Sequence, residues 1–283
     1  MKGLFVSLTF LFLAAGSVSA QSPSPEIFLK DLADSKEVTL SRIVPALEKK
    51  RLVVVGEYHT DEESHLVELA VIKALHRAGV HLAIGLEMFE ANYQAALDGW
   101  VSGQMNAKTF REIYNANWNF PWPLYRGIFE YAREKHIPLI GLNVPPEVTQ
   151  QVALEGFQSL SPDHKKKLPN ITCTVGPEYE AFIKKAYGEH GHGDFKFSYF
   201  CEAQLVWDES MAINAVNYLK AHPESLMVLL TGAGHAWKKG IPAQVKKRFD
   251  IPYTVILPKG AGADEFGPLK EDADYVVVRV LKK

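Results

Sequence analysis

Leu52-Val53-Val54-Val55-Gly56-Glu57-Tyr58-His59 is the stretch from which the fold can be read. Four apolar residues, three of them β-branched, run without alternation into a glycine. A strand buried on both faces of a parallel sheet has this pattern. The glycine lets the backbone turn sharply where the strand ends. Glu57, Tyr58 and His59 then fall at the strand's C-terminal end, where open α/β sheets place their ligands. The pattern recurs late in the chain, where Leu226-Met227-Val228-Leu229-Leu230-Thr231 runs into Gly232-Ala233-Gly234-His235. Two hydrophobic strands thus end in Gly-x-x-His, and both histidines are expected to face one cleft.

Around these strands the chain alternates between apolar runs and helical periodicity. Residues 31–48 read as mainly helical. A helix to about Ala78 follows His59, with Leu66, Leu69, Ala70, Ile72 and Leu75 at helical spacing. Acidic residues at its start suit the positive end of the helix dipole. His81 to Glu87 reads as a second strand and Ile137 to Leu142 as a third. Residues 90–133 read as helices broken by the aromatic loop Trp118-Asn119-Phe120-Pro121-Trp122-Pro123. A long helix over 198–220 precedes the strand at 226–231, and strands Tyr253 to Leu257 and Tyr275 to Leu281 close the chain. Strands alternating with helices predict an α/β fold with a mainly parallel sheet flanked by helices. A helical insertion subdomain is expected at about 90–200.

The chain has 283 residues, 47% hydrophobic and 23% charged, with a formal net charge of −2. That balance gives no basic face for nucleic acid. Lys2, the apolar run Leu4 to Ala15 and the small residues Ser17-Val18-Ser19-Ala20 read as a signal peptide over 1–20, cut before Gln21. The apolar run is short of the ~20 residues that a span needs. With no cysteine near the cut, residues 21–283 are expected to be periplasmic or secreted. Cys173 and Cys201 are the chain's cysteines. An oxidising compartment permits a disulfide between them, and two unpaired buried thiols are the alternative.

Parallel strands deliver their C-terminal ends to one edge, which brings Glu57, His59, Glu87, Asn143 and His235 together. His59, Glu87 and His235 could hold a divalent metal ion through imidazole nitrogen and carboxylate oxygen. With Glu57 they could also run acid–base catalysis. His65, six residues beyond His59, reads as structural or exposed, with a role in the site as the alternative. His190 and His192, in the glycine-rich loop 187–193, could ligate metal or haem, or could simply be solvated. Trp118, Phe120, Trp122, Tyr125, Tyr187, Tyr199 and Phe200 either pack a core or wall a large flat ligand. In the second case Tyr125, Tyr187, Tyr199, His190 or His192 could reach haem iron, and Arg126 could pair with a propionate.

Val-Val-Gly-Glu-Tyr-His at 54–59, Gly-Leu-Glu-Met-Phe at 85–89, Gln204 with Asp208-Glu-Ser-Met-Ala212, and Leu-Thr-Gly-Ala-Gly-His at 230–235 together resemble the ChaN-like haem-binding uptake family. That family belongs to a superfamily with the Tiki and TraB-type proteins and the erythromycin esterases. The resemblance covers roughly residues 45 to 250. It implies an exported haem-binding protein for haem or iron uptake or delivery, a homodimer, and an uptake partner such as an outer-membrane haem receptor. Its members share paired Gly-x-x-His motifs and a glutamate after a strand, which here map onto His59, His235 and Glu87. A different reading of the same residues is a metal-dependent hydrolase of peptides or esters.

Overall fold

A computed structural model describes residues 25–169, 171–176, 180, 181, 184, 196–261 and 268–282. Eight strands form one sheet in the order β2-β1-β8-β7-β3-β6-β4-β5. At its centre lies β3 (Leu52–Glu57), paired in parallel with β6 (Leu226–Gly232) and β7 (Tyr253–Leu257). Outward from β6 come β4 (Leu82–Glu90) and β5 (Leu139–Asn143), both parallel to their neighbours. On the other side β8 (Tyr275–Leu281) pairs in parallel with β7. The mainly parallel α/β sheet is therefore the fold.

The helical reading of residues 31–48 holds over 40–47, where Thr39 is the N-cap, and fails before them. β1 (Glu26–Asp31) pairs antiparallel with both β8 and β2 (Glu37–Thr39), and helix α1 spans only Leu40–Leu47. The strand signal in β1 amounts to Ile27 and Leu29, which face the core two residues apart.

All six residues of β3 and all seven of β6 are buried, because helices cover both faces of the sheet. Val53, Val55, Ile84, Leu86, Val228 and Leu230 face one layer of helices. These are α2 (Glu62–Arg77), α3 (Gln94–Val101), α4 (Ala107–Asn117) and α5 (Trp122–Glu134). Leu52, Val54, Met227 and Leu229 face the other layer, built on α8 (Phe197–Ala221) and α10 (Ile241–Arg248). Close packing between strands relies on glycine, as at Gly85 in β4. A Cβ added to Gly85 would stand 2.8 Å from both Leu142 Cδ1 and Met227 Sδ.

The stretch at 90–200 divides between layers. Helices α3 to α5 share the main core through Trp100, Phe110, Tyr114, Tyr125 and Phe129, and β5 joins the sheet. By contrast, α6 (Pro146–Glu155) packs Val148 and Val152 with Phe157, Leu160 and Ile171 against Ala203 and Val206 of α8, forming a small separate core. The short α7 (Pro162–Lys167) follows it.

Cys173 and Cys201 form a disulfide, with Cα atoms 5.6 Å apart. It ties the segment after α7 to the first turns of α8 across 28 residues of sequence. Closing a loop of that length restricts the unfolded chain by roughly 3.5 kcal/mol. Reduction, or the Cys173→Ser/Cys201→Ser double change, is expected to lower the melting temperature by roughly 10 °C in a scanning calorimeter. An unchanged melting temperature would show that the bridge restrains only local structure.

Candidate active site at the strand ends

The C-terminal ends of β3, β6 and β4 supply the site, and Glu57 pairs in register with Gly232. Glu57 is buried and its Oε1 accepts from Tyr125 Oη at 2.9 Å and bonds His59 Nδ1 at 2.7 Å. The His59 ring then lies over Gly232, where an added Cβ would be 3.0 Å from its Cε1. Phe120 and Trp118 flank the ring, with centroids 4.6 and 5.0 Å away. His235 sits on α9 (Ala233–Ala236), a single turn after β6, with Nδ1 2.7 Å from Asp208 Oδ1 on α8. Trp207 edges against the His235 ring at 5.8 Å.

Glu87 lies between these two imidazoles. Its Oε2 accepts from Thr231 Oγ1 and from the Gly232 amide, each at 2.6 Å. Its Oε1 faces His235 Nε2 at 3.9 Å. Asn143 donates to the Glu87 carbonyl at 3.0 Å and so braces the end of β4. Each histidine therefore has Nδ1 fixed by a carboxylate, which sets the ring's orientation and leaves Nε2 for the cleft.

Burial works against a charged His235, but its bond to Asp208 and the charges of Asp208 and Glu87 outweigh that and hold its pKa up at about 9. His59 is likewise held above its ordinary value: burial opposes the charge, and Glu57 and Glu87 overcome it. Burial pushes the Glu57 carboxyl up, yet the bond from His59 and the His65 imidazole beside it bring it below the ordinary carboxylate value. The cleft thus pairs two proton-holding imidazoles with carboxylates, an arrangement suited to moving a proton or gripping an anionic group.

His65 is not exposed. It lies buried on the first turns of α2, with Nδ1 2.9 Å from both Glu57 Oε2 and Glu68 Oε2. Its Nε2 is 3.2 Å from the His59 carbonyl oxygen. The face of α2 turned inward carries Ser64, His65, Val67, Glu68, Val71, Ile72 and Leu75, while Leu66 and Leu69 are only half-buried. Apolar spacing alone places Leu66 and Leu69 inside. His65 and Glu68 turn to the inner face instead because Glu57 lies opposite them.

Among the described residues, the metal-competent group whose donor atoms all lie within 4.8 Å of one another is Glu57, His65 and Glu68 rather than His59, Glu87 and His235. Sequence reasoning gave no role to Glu68 or to Asp208 as the partner of His235. A carboxylate three residues after His65, and one in the middle of a long helix among Val206, Met211 and Ala212, were the available signals.

Of the residues expected to hold haem, the described ones, Tyr125, Arg126 and Tyr199, are not gathered in one place. Tyr125 is fully buried with its hydroxyl committed to Glu57, so it belongs to the strand-end cluster. Arg126 points out from α5 and is 3.8 Å from Glu130. Tyr199 is half-buried on the first turn of α8, its ring against Gly156 and 5.0 Å from Lys196 Nζ. Helices α5 and α8 pack on opposite faces of the sheet, which separates Arg126 from Tyr199. Tyr187, His190 and His192 lie outside the described residues, as does the expected signal peptide.

The family model for "Haem-binding uptake, Tiki superfamily, ChaN" matches residues 43–245. The chain belongs to this family. Its fold is similar to that in the solved structure described as cofacial heme binding to ChaN of Campylobacter jejuni, with a TM-score of 0.71 and 18% identity. That match covers 91% of this chain and 97% of the Campylobacter chain. A mutant of the erythromycin esterase EreC in its open conformation matches at a TM-score of 0.49 and 14% identity, over 85% of this chain and 78% of that one. No curated protein matches. Among the described residues, no helix is long and apolar enough to cross a membrane.

Proposed function

We propose that this chain is an exported haem-binding protein that captures or delivers haem for uptake, holding it near the strand C-terminal edge. Membership of the haem-binding uptake family over residues 43–245 carries the reading. The edge offers support of its own. Trp118 and Phe120 beside His59, and Trp207 beside His235, line it with aromatic rings from both helical layers. Tyr58 is 42% exposed at the same edge, and a flat macrocycle needs such apolar walls. Tyr or His would supply the axial ligand to iron. Tyr199, Tyr187, His190 and His192 remain the proposed sources beside the edge histidine His59. Cleavage after Ala20 would release the chain to the periplasm or medium. Pairing of two copies, and hand-over to an outer-membrane receptor or another uptake component, complete the proposal.

The test is a hemin titration of residues 21–283 followed in the Soret region. A saturable shift at fixed stoichiometry is expected, weakened at least tenfold by replacing the residue that ligates iron, with Tyr199→Phe and His59→Ala tried first. A featureless, non-saturating curve would remove haem from the account.

The oriented imidazoles of His59 and His235 favour a second reading, hydrolysis of a peptide or ester at the cleft. As a metal-dependent reaction it would draw on His59, Glu87 and His235, whose donors are not drawn into one coordination sphere. What this chain's residues provide there is proton transfer at the Nε2 atoms and an anchored carboxylate at Glu87.

A further inference from the structure

Behind the cleft, Glu57, His65 and Glu68 form a buried cluster that its own hydrogen bonds do not satisfy. The three residues are 1%, 4% and 0% exposed. Nδ1 of His65 stands equally close to two carboxylates, but its proton can be directed at only one. It aligns with Glu68 Oε2, so Glu57 Oε2 is left with no aligned donor. Glu68 Oε1 has no partner at all. Two buried carboxylate oxygens without donors are costly, at about 1–3 kcal/mol each or more. Glu57 has His59 as a second partner, but the one imidazole of His65 has to serve both Glu57 and Glu68.

We propose that Glu57, His65 Nδ1 and Glu68 bind a divalent first-row transition-metal ion, such as zinc, at a site that lies behind the Gly-x-x-His cleft and shares Glu57 with it. One nitrogen and two carboxylate oxygens suit such ions, and a dication with neutral His65 balances both carboxylates. The His65 proton leaves to solvent as the ion enters. The imidazole is already oriented for the task, since Nε2 faces the His59 carbonyl and would carry the remaining proton, leaving Nδ1 for the metal. Donors around a tetrahedral ion with ~2.1 Å bonds stand ~3.4 Å apart, so each carboxylate oxygen, now 2.9 Å from His65 Nδ1, needs to draw back from that nitrogen by only about half an ångström. Access exists too. A groove of about 510 Å³ between α2 and α5 has His65 in its wall, together with Glu62 and Glu130. The ion would fix Glu57, and through it His59, tying the cluster to the cleft.

The test uses the untagged, haem-free chain stripped with chelator and titrated calorimetrically with Zn²⁺, then with Co²⁺ to read ligand-field absorption. One ion per chain is expected. Glu68→Gln and His65→Asn should each weaken binding by more than about tenfold. His235→Ala should still bind. Crystals soaked in Zn²⁺ should show an anomalous peak among the three side chains, which decides the matter even if a variant misfolds. Absence of stoichiometric binding would overturn the proposal. So would an ion lost in His235→Ala but retained in Glu68→Gln, or an anomalous peak at the cleft instead.

Discussion

Replacing Glu57 by alanine is expected to remove about 4 kcal/mol of stability and to lower the melting temperature by roughly 10–15 °C. Three groups converge on this one carboxylate: His59 Nδ1 at 2.7 Å, Tyr125 Oη at 2.9 Å and His65 Nδ1 at 2.9 Å. Removing one partner of a buried charge pair costs about 3–5 kcal/mol, because the remaining charge has no water to turn to. The Tyr125 hydroxyl, enclosed by Trp118 and Tyr114, would also lose its acceptor, at about 1–3 kcal/mol. One effect opposes these. Glu68 would no longer face a second carboxylate and would keep His65 as its partner. That relief keeps the expected loss well under the sum of the separate penalties. Tyr125→Phe isolates the hydroxyl and should cost only about 1–2 kcal/mol. Urea denaturation of the three proteins checks the ordering. A Glu57→Ala chain within about 1 kcal/mol of the parent would mean that the cluster does not hold the strand ends together.

What the sequence disclosed and what it hid follow from how each element is buried. Strands β3, β4 and β6 were legible because helices cover both their faces, so each is an unbroken apolar run. Their shared edge follows from parallel order, which puts Glu57, His59, Glu87, Asn143 and His235 in one neighbourhood from the sequence alone. β1 and β2 were hidden because an antiparallel edge pair needs few apolar residues. Ile27 and Leu29 carry β1, and β2 is three residues long. The inner face of α2 was misread for a different reason. Periodicity counts apolar residues, and the site turns His65 and Glu68 inward to meet Glu57. Tyr125 shows the same limit: within an aromatic stretch it reads as core or as a wall, and it is core, but its hydroxyl belongs to a buried carboxylate 68 residues away in sequence. Asp208 was visible as part of a motif, but its partner His235 arrives only through folding. Polar contacts between distant elements leave no periodic trace, so the second half of the site is visible only in the folded chain.

The same cluster predicts an unusual pH profile, in which the chelator-treated protein loses stability as pH rises above neutrality. His65 is held up at about 10 from an ordinary 6.5: burial opposes its charge, but the carboxylates of Glu57 and Glu68 against its Nδ1 prevail. His235 is held at about 9 by Asp208 and Glu87 against its burial. A group that keeps its proton more tightly when folded stabilises fully below its unfolded pKa, and that contribution is lost as pH climbs through the folded value. For these two histidines the loss runs from pH 6.5 to about 9 and 10. Glu68 acts in the same direction earlier. Burial and the nearby charge of Glu57 raise its carboxyl from 4.5 to about 8, so folding favours its protonated form and ionisation across that window costs stability. Glu57 runs the other way, its lowered value giving stability that disappears only in acid, below 4.5. Maximum stability should therefore fall between pH 4.5 and 6.5, the window these unfolded values define. Each tenfold gain in proton affinity on folding corresponds to about 1.4 kcal/mol, and His65 and Glu68 share one network, so their contributions do not add in full. A total loss on the order of 4 kcal/mol, or roughly 10 °C in melting temperature, is expected between about pH 6.5 and 9.5. Thermal melts across that range read it directly, and His235→Asn should flatten the upper part of the curve by removing one of the two histidine contributions. A melting temperature that stays level over the same range in the metal-free chain would show that the imidazoles are not held charged. The carboxylates at the ends of β3 and β4 would then have to be stabilised by their backbone and hydroxyl donors alone.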